Sequence, residues 1–146
     1  MQFKIITIGK IKNKNLINEI DNLKKRINRL EIIELKEIKD NNIEIIKQKE
    51  CELILNNIKK SDFNILLWEH GNEFNTKEFY NKIKKIDRPI CFIITGAYGP
   101  NEKLKEQVNM LFSLSKMTFT HEQAYYMLIE QLYRIECFEK NIPYTK

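Results

Sequence analysis

Short runs of branched apolar residues alternate along this chain with segments whose apolar residues recur every three or four positions. No other feature constrains the fold as tightly. Phe3 to Ile8, Phe63 to Trp68 and Ile90 to Thr95 are apolar without a helical period, so they read as buried strands. Ile32 to Ile38 is a more polar strand suited to an edge, and Met110 to Leu114 is a fifth apolar segment. Between them, Leu16, Ile20, Leu23, Ile27 and Leu30 make one helical stripe, with Asn13 or Asn15 available as its cap. Ile43 to Ile58 returns to a helical period, and Asn75 to Ile86 does so with Phe79, Ile83 and Ile86 inward. A short helix spans Asn101 to Asn109. The last helix runs from about Glu122 to Phe138, with Ala124, Leu128, Gln131, Ile135 and Phe138 on one face.

Strands separated by helices require crossover connections, which implies an α/β fold: a mostly parallel sheet with helices on both faces. No linker or repeat divides the 146 residues, so they read as one domain, 1–146. A chain of this length buries roughly 70% of its unfolded surface and needs neither disulfide nor metal for stability. Cys51, Cys91 and Cys137 are scattered, and His70 and His121 do not join them at zinc spacing, so no metal is expected. The N-terminus reads as a first strand rather than a signal peptide, and no apolar run is long enough to cross a membrane. The expected place of work is the cytoplasm. Lys and Arg number 25 against 20 Asp and Glu, a net charge of +5 that favours an anionic partner such as RNA. A composition crowded with Lys, Ile and Asn produces the same excess without any partner, so the charge is a weak clue.

In parallel sheets, ligands bind where loops leave the carboxyl ends of the strands. Three loops qualify here. The first, Leu66 to Gly71, carries Trp68, Glu69 and His70 in a row; taken alone it reads as an ordinary strand exit, with Gly71 turning the chain and His70 in solvent. The second, Ile93 to Glu102, holds Gly96 and Gly99, which let a backbone approach a ligand closely. Its GxxG spacing is neither a Rossmann fingerprint nor a P-loop, and a two-glycine turn is as often structural. The third, Phe112 to His121, mixes small hydroxyl residues with apolar ones and suits an adenine and a thioether chain. A surface loop with Met117 and Phe119 tucked inward is the alternative. In the last helix, Glu130 and Arg134 are i,i+4 partners, so an intrahelical ion pair is the default expectation.

The run Leu114-Ser115-Lys116-Met117-Thr118-Phe119, followed by His121 and then Leu128-Ile129-Glu130-Gln131-Leu132-Tyr133-Arg134, closely resembles the large-subunit ribosomal RNA methyltransferase H family. That family is one of the SPOUT methyltransferases, and the likeness extends from Ile8 to Tyr144. The resemblance implies a C-terminal trefoil knot in the parallel sheet and S-adenosylmethionine as cofactor. It implies that Leu67, Thr95, Gly96, Gly99, Leu114, Ser115, Lys116, Met117, Thr118 and Phe119 bind that cofactor. It further implies a homodimer with the site built between subunits. The substrate it implies is a pseudouridine of large-subunit ribosomal RNA, methylated on N3 in the isolated RNA or in the ribosome. His121, Arg134 and Tyr144 are the candidate catalytic groups. Three positions depart from the family pattern. Thr95 stands where a glycine is usual, Tyr125 where a basic residue is common, and Thr145 where the terminal histidine belongs. Two alternatives follow from those departures: a SPOUT enzyme for another RNA, or a non-catalytic SPOUT RNA-binding module.

Overall fold

A computed structural model describes residues 1–144. Five strands form one sheet in the order β2-β1-β4-β3-β5, and every neighbouring pair is parallel. They are β1 (Phe3–Ile8), β2 (Leu30–Leu35), β3 (Phe63–Glu73), β4 (Ile90–Ile94) and β5 (Met110–Ser113). The helices are α1 (Lys14–Lys24), α2 (Ile43–Leu55), α3 (Thr76–Ile83), α4 (Glu102–Glu106) and α5 (His121–Glu139). One core joins α1, α3 and α5 to one face of the sheet through Ile20, Leu23, Phe79, Ile83 and Leu128. A second core joins α2 and α4 to the other face through Cys51, Ile54 and Leu104. Both faces are therefore covered, which is why β1 and β4 are buried along their whole length and show no polar alternation. No described helix is long and apolar enough to cross a membrane.

Each helix starts on a side-chain cap. Asn13, Asn42, Asn75, Asn101 and Thr120 all accept hydrogen bonds from backbone N–H groups of the following turn, and Asn75 and Thr120 complete capping boxes with Glu78 and Gln123. Asn13, rather than Asn15, caps α1. The apolar stripe read as one helix through Leu30 is divided: α1 stops at Lys24, and Leu30 opens β2. Arg29, at φ 51°, reverses the chain between them, a left-handed conformation no helix interior accommodates. The end of β2 likewise falls at Leu35 rather than Ile38, and α4 is shorter than the segment expected from Asn101 to Asn109.

The strand β3 runs on to Glu73, five residues past the expected exit at Trp68. Its pairing with β5 breaks between Leu67 and Asn72 in a bulge and then resumes. Gly71 lies inside this extension rather than at a turn. A Cβ there would stand 2.7 Å from the Leu111 carbonyl carbon and the Phe112 nitrogen, so only glycine lets the two backbones meet. All three cysteines are buried and free. Burial pushes the Cys91 thiol up to about 12, which leaves it inert at neutral pH.

Candidate functional site

The carboxyl ends of β3, β4 and β5 and the start of α5 enclose a cavity of about 390 Å³, within the usual range for small-molecule sites. Leu67, Ile94 and Phe112 are the buried apolar residues at the strand ends that line it. All the residues expected to hold a cofactor line it except Lys116: Leu67, Thr95, Gly96 and Gly99 from two strand exits, and Leu114, Ser115, Met117, Thr118 and Phe119 from the third. Lys116 is exposed and does not line the cavity.

The loop after β4 is held from behind. Glu50 on α2 is 3% exposed, and its Oε1 accepts the Gly96 N–H at 2.8 Å. Its Oε2 is buried without a partner among the described residues. Burial pushes the Glu50 carboxyl above the ordinary carboxylate range; the Gly96 bond opposes the rise and Glu37 adds to it. A Cβ on Gly96 would run into this carboxylate, so a side chain there displaces Glu50 from its bond to the loop. Gly99, at φ 75°, closes the turn with its N–H on the Gly96 carbonyl at 3.2 Å.

The loop after β5 is held by hydroxyls. The buried Ser113 Oγ lies 2.6 Å from the Ser115 carbonyl and 3.1 Å from that of Glu69. Ser115 Oγ accepts the Met117 N–H at 3.0 Å, and Thr118 Oγ1 donates to Glu69 Oε2 at 2.8 Å. Glu69 thereby ties the first loop to the third. Met117, which the alternative surface-loop reading tucked inward, is 75% exposed. Phe119 is half-buried. His70 is exposed and packs edge-on against Trp68 at 5.1 Å, over whose ring Lys105 stands at 4.2 Å.

His121 is the candidate catalytic group that lines the cavity. Its Nε2 shares a 2.6 Å hydrogen bond with Thr7 Oγ1 of β1. Burial lowers its pKa below the usual 6.5, against the pull of Glu122 and Glu37, so the ring is neutral at pH 7. Arg134 and Tyr144 are not brought to this cavity within one chain. Arg134 grips Glu130 at 2.8 and 2.9 Å, the expected intrahelical pair, and lies over the Tyr144 ring at 5.0 Å. Tyr125, standing where the family commonly has a basic residue, is 4% exposed and belongs to the core. Neighbouring α5 positions Leu128, Ile129 and Leu132 are fully buried, so that side of the helix faces the sheet. Thr145 lies outside the described residues.

Glu50 and Thr7 were missed in the sequence. Thr7 offered no signal, being one hydroxyl in a buried strand. Glu50 did offer one: it lies midway between Ile46 and Ile54 at i,i+4 steps, a carboxylate on a stripe of buried residues.

A family model described as "Predicted SPOUT methyltransferase" matches residues 1–145. The chain belongs to the SPOUT methyltransferase family. Curated SPOUT relatives are similar over their full length. The Ribosomal RNA large subunit methyltransferase H of Dictyoglomus thermophilum is 38% identical over 99% of both chains. The protein of that name from Ureaplasma parvum is 37% identical over 100% of both. Two solved structures share the fold at 10% identity. A probable methylase family protein from Haemophilus influenzae gives a TM-score of 0.60 over 99% of this chain and 70% of its own. The Ribosomal RNA small subunit methyltransferase E from Neisseria gonorrhoeae, bound to S-adenosyl methionine, gives 0.54 over 97% and 66%. The chain thus spans about two thirds of those two longer proteins.

Proposed function

We propose that this chain is an S-adenosylmethionine-dependent methyltransferase that modifies N3 of a pseudouridine in large-subunit ribosomal RNA, in the cytoplasm. The observation that carries the reading is the cavity at the three strand exits, in a chain that matches methyltransferase H relatives end to end. Its residues fit the cofactor. Gly96 and Gly99 leave backbone uncovered by side chains, apolar strand ends offer walls for an adenine, and Glu69 offers negative charge for a sulfonium. S-adenosylmethionine supplies an electrophilic methyl group. Leu67, Thr95, Gly96, Gly99 and Leu114 to Phe119 would hold it, with Lys116 at the outer rim.

What the chain itself contributes is orientation and control of a proton. The imide N3–H must lose its proton before the nitrogen can accept a methyl group. His121, neutral and anchored to Thr7, can receive a proton at the cavity wall. Arg134 and Tyr144 lie toward the other end of α5, so in this reading they act in the site of a second subunit. The homodimer and the trefoil threading of the C-terminal segment belong to the same proposal.

Calorimetric titration with S-adenosylmethionine, followed by transfer of labelled methyl groups to ribosomal RNA, large subunits or ribosomes, tests it. Saturable binding and transfer to a large-subunit pseudouridine are expected. Transfer to a different RNA would favour the first alternative, and binding without transfer to any RNA would favour a non-catalytic module. A monomer mass on dilute gel filtration would overturn the shared site.

A further inference from the structure

All five strands are parallel, so the chain has two chemically distinct sheet edges. The cavity occupies the carboxyl edge. The opposite, amino edge is built from the loops α1–β2, α2–β3 and α3–β4, and it is basic.

Backbone hydrogen bonds stitch those three loops into one ridge. Phe3 N–H donates to the Arg29 carbonyl at 2.9 Å, Ile90 N–H to Gln2 at 2.9 Å, and Phe63 N–H to Pro89 at 2.8 Å. Arg29, Arg88 and the pair Lys59 and Lys60 therefore stand side by side across four neighbouring strands, a span of roughly 15 Å at the usual strand spacing. All four are exposed, and none has an ion-pair partner within 4 Å among the described residues. Arg88 is further held over the Phe63 ring at 5.3 Å.

Basic residues at helix C-termini are ordinarily explained by the helix dipole. That explanation covers Lys24, Lys25 and Lys84, which sit in the last turn or at the cap of α1 and α3. It does not cover these four. Arg29 and Arg88 stand four residues past the caps Lys25 and Lys84, and Lys59 and Lys60 three and four past Asn56, beyond the reach of the terminal carbonyls. Carboxylates are outnumbered on the ridge: the exposed ones are Asp87, next to Arg88, and Glu31, two residues past Arg29. Asp62 is buried, and Glu136 is engaged by the Asn28 N–H and by Lys140. The cavity edge is more evenly mixed: Lys36, Lys39, Lys105 and Lys116 stand there with Glu37, Asp40, Glu69 and Glu102, and Lys105 is paired with Glu102.

We infer that the ridge of Arg29, Lys59, Lys60 and Arg88 is a docking surface for the phosphate backbone of the RNA substrate, separate from the site of methyl transfer. The inference rests on the RNA reading of the function. It assigns that RNA a second contact, roughly 20 Å from the cavity of the same chain, the length of a strand of this size. Arginine forks and flexible lysines exposed on a ridge suit phosphates rather than base edges, so the contact positions RNA without reading its sequence.

The test is the triple variant Lys59→Gln, Lys60→Gln, Arg88→Gln, in the full-length protein, with large-subunit ribosomal RNA as the probe. Binding is measured across a salt series, alongside calorimetry with S-adenosylmethionine and methyl transfer at saturating RNA. The expected result is about tenfold weaker RNA binding and a salt slope shallower by about 2, close to 0.7 per lost phosphate contact. Cofactor affinity and turnover at saturating RNA stay at wild-type values, which also shows that the variant is folded. The single change Arg29→Gln carries a smaller loss in the same direction. Wild-type RNA affinity and slope in the triple variant would overturn the ridge while leaving the function intact. A wild-type protein that binds cofactor but neither this RNA nor large ribosomal subunits or ribosomes would overturn both.

Discussion

Two loops close the cavity, and they are built on opposite principles. The turn through Gly96 and Gly99 is fixed by a buried carboxylate from another layer of the molecule, with no side chain of its own as an anchor. The loop from Leu114 to Thr120 is tied by its own hydroxyls and by an exposed Glu69, and it leaves Met117 in solvent. In a buried setting one hydrogen bond is strong and its loss is costly; at the surface water replaces a lost partner. The first loop is therefore a preformed wall. The second is held at the surface by bonds that water can replace.

The largest effect should come from breaking the rigid wall. Gly96→Val drives a side chain into Glu50, and S-adenosylmethionine affinity should fall by about 100-fold, or ~2.7 kcal/mol. Calorimetry decides this, and unchanged affinity would show that the wall is not part of the pocket. Glu50→Ala removes the anchor without adding bulk. The expectation is about a tenfold loss of cofactor affinity together with ~1–3 kcal/mol of stability in urea unfolding. A loss of stability with full affinity would make Glu50 a core residue and nothing more.

The pH response sharpens the contrast at the junction of the second loop and α5. The pKa of His121 is lowered in the folded protein, so the unfolded chain binds the proton more readily. Stability should hold above the unfolded value of 6.5 and fall as the pH drops below it. His121→Gln should flatten that part of a melting-temperature profile; an identical slope would mean other groups cause it. The smallest effect belongs to the second loop. Thr118→Val removes the bond to Glu69, and stability should change by no more than about 0.5 kcal/mol, with less than a threefold change in cofactor affinity. A loss as large as that of Glu50→Ala would erase the distinction between the loops.

Much of this was legible beforehand. Alternating periods marked every strand and helix, and the strand-exit rule together with the family resemblance pointed to the loops that line the cavity. The errors have physical causes. The stripe through Leu30 kept its period because Ile27 and Leu30 pack against the same core in a different conformation, with Arg29 turning between them. The extension of β3 past Trp68 was hidden because Glu69 to Glu73 is polar, and its strand conformation comes from pairing with β5.

The sequence by itself determined the parallel α/β architecture, since its central strands β1 and β4 are apolar on both faces and each helix carries its own cap. Those are local properties, written at fixed spacing along the chain. Only the tertiary structure decided that Glu50 stands behind Gly96, that Thr7 holds His121, and that Tyr125 is buried while Arg134 and Tyr144 keep away from the cavity of their own chain. Those pairings join residues 46 and 114 positions apart, a separation at which no sequence period survives. They follow from which strand ends the sheet order brings side by side.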